Sequence, residues 1–241
     1  MKMIKHILGA AFWAAATTSA AGQVPPDWQR AAADYRVAVL VAESGKPNAI
    51  ERAFDAVSTV RDTLLQGSVL QSLSDEAFAQ LVSQLRGVII NRREMQSVMP
   101  DLAYYVRLAD TRGDTGDKAF FAALKATYPN SVWPVYLQRQ TDTGGCARFG
   151  TLSLVESYRV WSQFKERFPT RYEVAATDEI EAIFELLTDG TCACGTTADV
   201  ERELVEFNKR FPSSPVQSEV DARIRDIRSG QAGIRASCRA G

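Results

Sequence analysis

The chain has 241 residues, 46% of them hydrophobic, with 28 basic side chains set against 29 acidic ones. That apolar share can supply a core and excludes general disorder. From a net charge of −1 no general affinity for nucleic acid or for an anionic membrane follows.

Lys2, Lys5 and His6 make a basic start, an apolar run follows from Ile7 to Ala16, and Ser19 and Ala21 precede Gly22 as small residues at a cleavage site. This pattern predicts a secretory signal peptide over residues 1–21, since the apolar run is too short to span a bilayer. The other reading is a buried N-terminal helix. No cysteine near Gly22 offers a lipid anchor, and no later run is long and apolar enough to cross a membrane. The expected location is therefore the bacterial periplasm or the exterior, with no stable membrane insertion. His6 is the only histidine. Once it is removed with the signal, Ser-His-Asp and Cys-His catalysis, histidine-ligated zinc and histidine pH switching are all excluded.

Residues 22–114 read as an N-terminal helical region. Asp27 can cap a helix to about Ser44, stopped by Gly45 and Pro47. A second helix over about 48–66 carries Ile50, Phe54, Val57, Val60 and Leu64 at helical spacing. Ser74 caps a third, predicted to continue through Val88 and Ile89 to about Glu94. Pro100 is expected to open a fourth, which Gly113 ends. No strand signal stands out anywhere in the chain.

Residues 115–230 repeat. Tyr128-Pro129, Phe168-Pro169 and Phe211-Pro212 each follow an apolar helical pattern, and the prolines lie 40 and 43 residues apart. Proline disfavours helical geometry in the residue before it, so each helix should stop at the aromatic ring. The predicted helices are 117–128, a short one with Trp133, Tyr136 and Leu137, then 152–168, 171–188, 198–211 and 214–228, with Ser131 and Ser214 as caps. The expected fold is all-α: stacked antiparallel helical hairpins forming a disulfide-stapled solenoid. A tail over 231–241 carries Cys238.

Cys146, Cys192, Cys194 and Cys238 form an even set in an exported chain, which favours two disulfides. All lie in connections between hairpins, which emerge on one edge of a stack. The preferred pairing is Cys146–Cys192 with Cys194–Cys238, with crossed pairing as the alternative. A redox or four-thiolate metal site lacks the usual spacing.

Two stretches suggest chemistry. Glu43-Ser44-Gly45, with Pro47 and Ala49, resembles the catalytic-glutamate stretch of lytic transglycosylases, which implies Glu43 as a wall-cleaving acid. The plainer reading is a helix stop signal. Asp110, Asp114 and Asp117 suggest a calcium loop but lack its alternation and terminal glutamate, so a loop capping the next helix is expected. No cofactor-binding or metal-ligating motif is present.

The repeats over 117–229 resemble the tetratricopeptide-like modules of periplasmic outer-membrane assembly and cell-division proteins. That resemblance implies a non-enzymatic scaffold holding another periplasmic or secreted protein or peptide. An immunity protein or inhibitor of a secreted toxin or wall hydrolase is the alternative. Candidate contacts are the aromatics Tyr104, Tyr105, Trp133 and Tyr136, the acidic run 173–189 with Glu179, Glu181 and Glu185, and the basic run 223–239 with Arg223 and Arg228.

Overall fold

The structure, a computed structural model, describes residues 27–93, 96–128, 130–132, 135–137, 146–190 and 192–236. The expected signal peptide, Trp133 and Cys238 lie outside the described residues. Ten helices and seven strands of two to four residues are present among those described, so the protein is mostly helical.

Helix α1 (Asp27–Glu43) packs along α2 (Ala49–Leu65). Tyr35, Val39 and Ala42 of α1 and Ala53, Val57, Val60 and Leu64 of α2 are buried on the facing stripes that helical spacing predicts. Gly45 ends α1 at φ 74°, the left-handed stop expected of it. After a single turn, α3 (Val69–Ser72), the Ser74 hydroxyl oxygen accepts the Ala77 N–H at 3.2 Å and starts α4 (Asp75–Gln84).

The third predicted helix stops at Gln84 and does not reach Glu94. Gly87 breaks it at φ 81°, where a Cβ would lie 2.4 Å from the Tyr104 ring. The β-branched run Val88, Ile89 and Ile90 then forms β1 (Val88–Asn91), paired antiparallel with β2 (Ser97–Pro100). Pro100 closes that strand and does not open a helix. Asp101 caps α5 (Leu102–Arg112) by accepting the Tyr104 N–H at 3.1 Å, and Gly113 follows the helix as expected. The loop of acids caps α6 (Thr115–Thr127): Asp114 accepts from Asp117 N–H at 2.9 Å, and the Asp117 carboxylate accepts from Asp114 N–H at 3.0 Å.

All three aromatic-proline turns behave alike. Tyr128, Phe168 and Phe211 leave their helices at φ −118°, −135° and −127° with ψ 67°, 64° and 62°. Each amide donates to the carbonyl four residues back, at 2.9, 2.8 and 2.8 Å, so the last turn is closed before the chain departs. The segment after the first turn departs from the expected short helix with Tyr136: β3 (Asn130–Val132) pairs there with β4 (Val135–Leu137). Pro129 and Pro134 lack the N–H that a helix needs, and Val132, Trp133, Val135 and Tyr136 favour extended backbone. The later turns do lead into helices: α7 (Ser153–Arg167) to α8 (Glu173–Thr188), and α9 (Thr197–Arg210) to α10 (Gln217–Arg228). Helix α10 starts later than Ser214. Successive turns, Ser214 N–H to Phe211 and Gln217 N–H to Ser214, carry the chain to Val216 first.

The connections between these hairpins also pair as strands, which no alternation in the sequence predicts. β5 (Ala147–Arg148), β6 (Cys192–Cys194) and β7 (Arg235–Ala236) form a parallel ladder with Ala193 opposite both Ala147 and Ala236. Each unit therefore runs strand, helix, helix, and α7 packs on α9 as α8 packs on α10. The ladder brings the cysteines together: Cys146 and Cys192 are bridged with Cα atoms 4.9 Å apart, the preferred pairing. None of the described cysteines is free. The predicted partner of Cys194 lies outside the described residues. Replacing Cys146 and Cys192 by serine, which opens a loop of 46 residues, is expected to lower stability by about 2–4 kcal/mol in denaturant titrations of the oxidised protein.

An aromatic cluster joins the first helices to the repeats. Phe54 of α2 meets Tyr105 of α5, Phe120 and Phe121 of α6 and Tyr172 edge-on, at 5.3–6.0 Å. Phe120 stacks on Tyr172 at 3.8 Å. Trp161 is fully buried, and its indole N–H donates to the Thr127 hydroxyl at 2.9 Å.

Candidate functional site

Glu43 ends α1 where Gly87 lets β1 and α5 approach. Its Oε2 pairs with the Arg86 guanidinium at 2.9 Å, and its Oε1 accepts from the Tyr104 hydroxyl at 2.9 Å. Both oxygens thus act as acceptors for fixed donors. A general acid must instead carry a proton aimed at a leaving group. The Ser44 hydroxyl donates to the Val41 carbonyl at 2.7 Å, as a helix end uses it. Burial, then the bond to Glu43, raises the Tyr104 phenol above its ordinary value, so it stays a protonated donor.

Tyr105 is inside the core at 0% exposure, with its hydroxyl donating to the Ala53 carbonyl at 3.0 Å. That removes it from the candidate contacts. Tyr104 is half-buried and engaged by Glu43. Trp133 and the Tyr136 side chain lie outside the described residues.

Arg223 has a structural task. Its Nη1 donates to the carbonyls of Leu186 and Leu187 at 2.8 and 2.7 Å, and its Nη2 donates to Gly190. It is a cation set on the C-terminus of α8, where free carbonyls gather. Desolvation lowers its pKa from the usual arginine value. Arg228 is exposed and pairs with Glu201 at 2.7 Å. These two candidates from the basic run are therefore each bound within the protein.

The acidic run is different. Asp178, Glu181 and Glu185 are exposed at helical spacing along α8, one stripe that begins with Val174 at 73% exposure. Among the described residues no salt bridge or hydrogen bond engages these three carboxylates. Glu179 faces the other way. Its Oε1 accepts from the Tyr128 hydroxyl at 2.9 Å, while its Oε2 is buried without a hydrogen-bond partner. Desolvation, against the Tyr128 bond and with help from Asp178, pushes its pKa up to about 7.

This gives a pH prediction with a definite sign. The unfolded carboxyl titrates near 4.5 and the folded one near 7, so stability falls as pH rises through that window and then levels off. Glu179→Gln is expected to stabilise the protein by up to about 3 kcal/mol at pH 8 and to change little at pH 4. Urea midpoints at the two pH values test it, and an equal effect at both would refute the assignment.

Sequence reasoning missed two functional parts of the fold. Glu203 of α9 is 0% exposed and receives the N–H groups of Gly150, Leu152 and Leu154 at 2.6, 3.2 and 3.0 Å. Arg171 reaches Glu51, Asp114 and Asp117 at 2.6, 2.7 and 2.7 Å. Two of the three acids of the calcium-like loop, Asp114 and Asp117, are thus turned toward an arginine. Neither residue has a local motif that marks it.

Comparison with family models, with curated proteins and with solved structures finds no match for this chain.

Proposed function

We propose that this protein is a non-enzymatic binding module of the bacterial periplasm or cell exterior. It holds a basic protein or peptide along a tetratricopeptide-like stack of helical hairpins. The observation that carries this reading is the stripe of Asp178, Glu181 and Glu185 on α8, exposed and engaged by no cation among the described residues. Carboxylates left without partners keep their charge available for a partner's Lys or Arg groups, which steers encounter and sets orientation. The commitment of Glu43 to Arg86 and Tyr104 also supports a module without a catalytic acid.

Affinity capture from periplasmic extract with the oxidised protein tests the proposal. The expected result is one stoichiometric partner that elutes with salt and is lost, by at least about tenfold in affinity, from the double variant Glu181→Lys and Glu185→Lys. These exposed side chains make no hydrogen bond or salt bridge among the described residues, so the variant should melt with the parent. A partner that is a toxin or wall hydrolase makes the protein an inhibitor. Undiminished capture by the charge-reversed protein sinks the α8 assignment. Clearing of peptidoglycan in a zymogram that vanishes in Glu43→Gln sinks the non-enzymatic reading.

A further inference from the structure

Helices α1 and α4 border a cleft of about 600 Å3. That volume falls within the range of small-molecule sites. Trp28, Leu73, Ala77 and Leu81 give it an apolar lining. Its lining cations are Arg36 and Arg30, and Arg30 is already paired with Asp27 at 3.7 Å. At the far end along α1 stands Arg36, whose Nη1 donates to the Gln84 Oε1 at 2.8 Å. Among the described residues no carboxylate pairs with Arg36. Arg36 and Gln84 also line a smaller cavity of about 120 Å3 beside Tyr35 and Val39.

We infer that this cleft binds a small amphiphilic anion, with an apolar body against Trp28 and Leu81 and a carboxylate, sulfonate or phosphate head on Arg36. Three features favour that occupant. The apolar lining gains from covering an aromatic or alkyl body. The planar guanidinium keeps N–H donors beyond the one given to Gln84, and it suits an oxyanion. Trp28 and Arg36 are eight positions apart on α1, a rise of about 12 Å, which sets the span between body and head. The hydrogen bond from Arg36 to Gln84 links α1 to α4 at that end of the cleft. The site lies on α1 and α4 and does not depend on the α8 reading.

The probe is 8-anilinonaphthalene-1-sulfonate, and N-phenyl-1-naphthylamine serves as the uncharged counterpart. Both are titrated by fluorescence into the oxidised full chain and into two variants. The expected result is saturable binding of the sulfonate whose affinity falls about tenfold in Arg36→Gln, the loss of one charged hydrogen bond, with the uncharged dye unaffected. Ala77→Trp fills the cleft and is expected to abolish that saturable component for both dyes. Circular dichroism melts confirm that each variant is folded. Absence of saturable sulfonate binding, binding that survives Ala77→Trp, or equal behaviour of both dyes in Arg36→Gln overturns the proposal. So does binding of an acidic amphipathic helical peptide at this cleft in place of the dye, which would make it a protein-docking groove.

Discussion

Replacing Glu203 with alanine is expected to lower stability by about 3–5 kcal/mol, a fall in Tm of roughly 10–15 °C for a chain of this size. Helix α7 cannot cap itself. Its N-cap, Leu152, sits at φ 59° with no side-chain hydrogen bond of its own. The N–H groups that a helix start leaves free instead point at the Glu203 carboxylate, brought from α9. Desolvation raises the pKa of this glutamate, and the backbone N–H bonds work against that rise. Alanine would strand those donors in a buried site and leave a void beside them. Glutamine keeps one acceptor oxygen but turns its own N–H groups toward donors, so Glu203→Gln should fall between parent and alanine variant. Thermal melts of the three proteins decide the matter. A loss below about 1 kcal/mol for alanine would show that water satisfies the helix end and that the carboxylate is dispensable.

The second large effect is expected at Arg171. Arg171→Met should cost about 3–5 kcal/mol, because it leaves carboxylates uncompensated in a poorly hydrated place. The Asp117 side chain is 5% exposed, and those of Glu51 and Arg171 are 16% exposed. Burial works against the Arg171 charge, but the bonds to Glu51 and Asp114 outweigh it and hold the group above its ordinary pKa. Tyr172 belongs to the same knot. Its hydroxyl donates to Asp117 Oδ1 at 2.7 Å, and its backbone N–H donates to Glu51. The informative experiment is a rescue. Glu51→Gln and Asp117→Asn together should recover a large share of the stability lost in Arg171→Met, since neutral amides in those positions no longer need a cation. A triple variant no more stable than Arg171→Met alone would mean that packing of the arginine stem, not charge, is what matters.

These two residues show where reading along the chain stops. Features governed by neighbours within a few positions were legible. Ser74 caps the helix after it, Gly45 turns left-handed to end one, and the acids around Gly113 cap α6. Tyr128, Phe168 and Phe211 all close a helix just before proline. The positions of the cysteines between hairpins pointed to the Cys146–Cys192 bridge. The contrary cases are equally specific. Val88, Ile89 and Ile90 fit a helical stripe on paper, but strand pairing with Ser97–Pro100 claims them once Gly87 has turned the chain. Glu203 looks like one more surface charge in a helix rich in charges, because nothing within α9 reveals that the start of α7 lies against it. Arg223 reads as a contact for a partner and is instead the cap of α8.

Helical character, hairpin punctuation and the placement of the cysteines are legible along the chain. Those depend on side-chain periodicity, caps and the steric effect of proline, all of which act over about one helical turn. Which charges are paired and which face solvent depends on how the helices pack. Asp178, Glu181 and Glu185 remain exposed, whereas Glu203, Arg171, Arg223 and Glu43 are taken up by groups 33 or more positions away in the chain. A charged side chain on a helix reads the same in either case, because its partner is set by how helices pack, and packing joins residues whose separation along the chain carries no local signal.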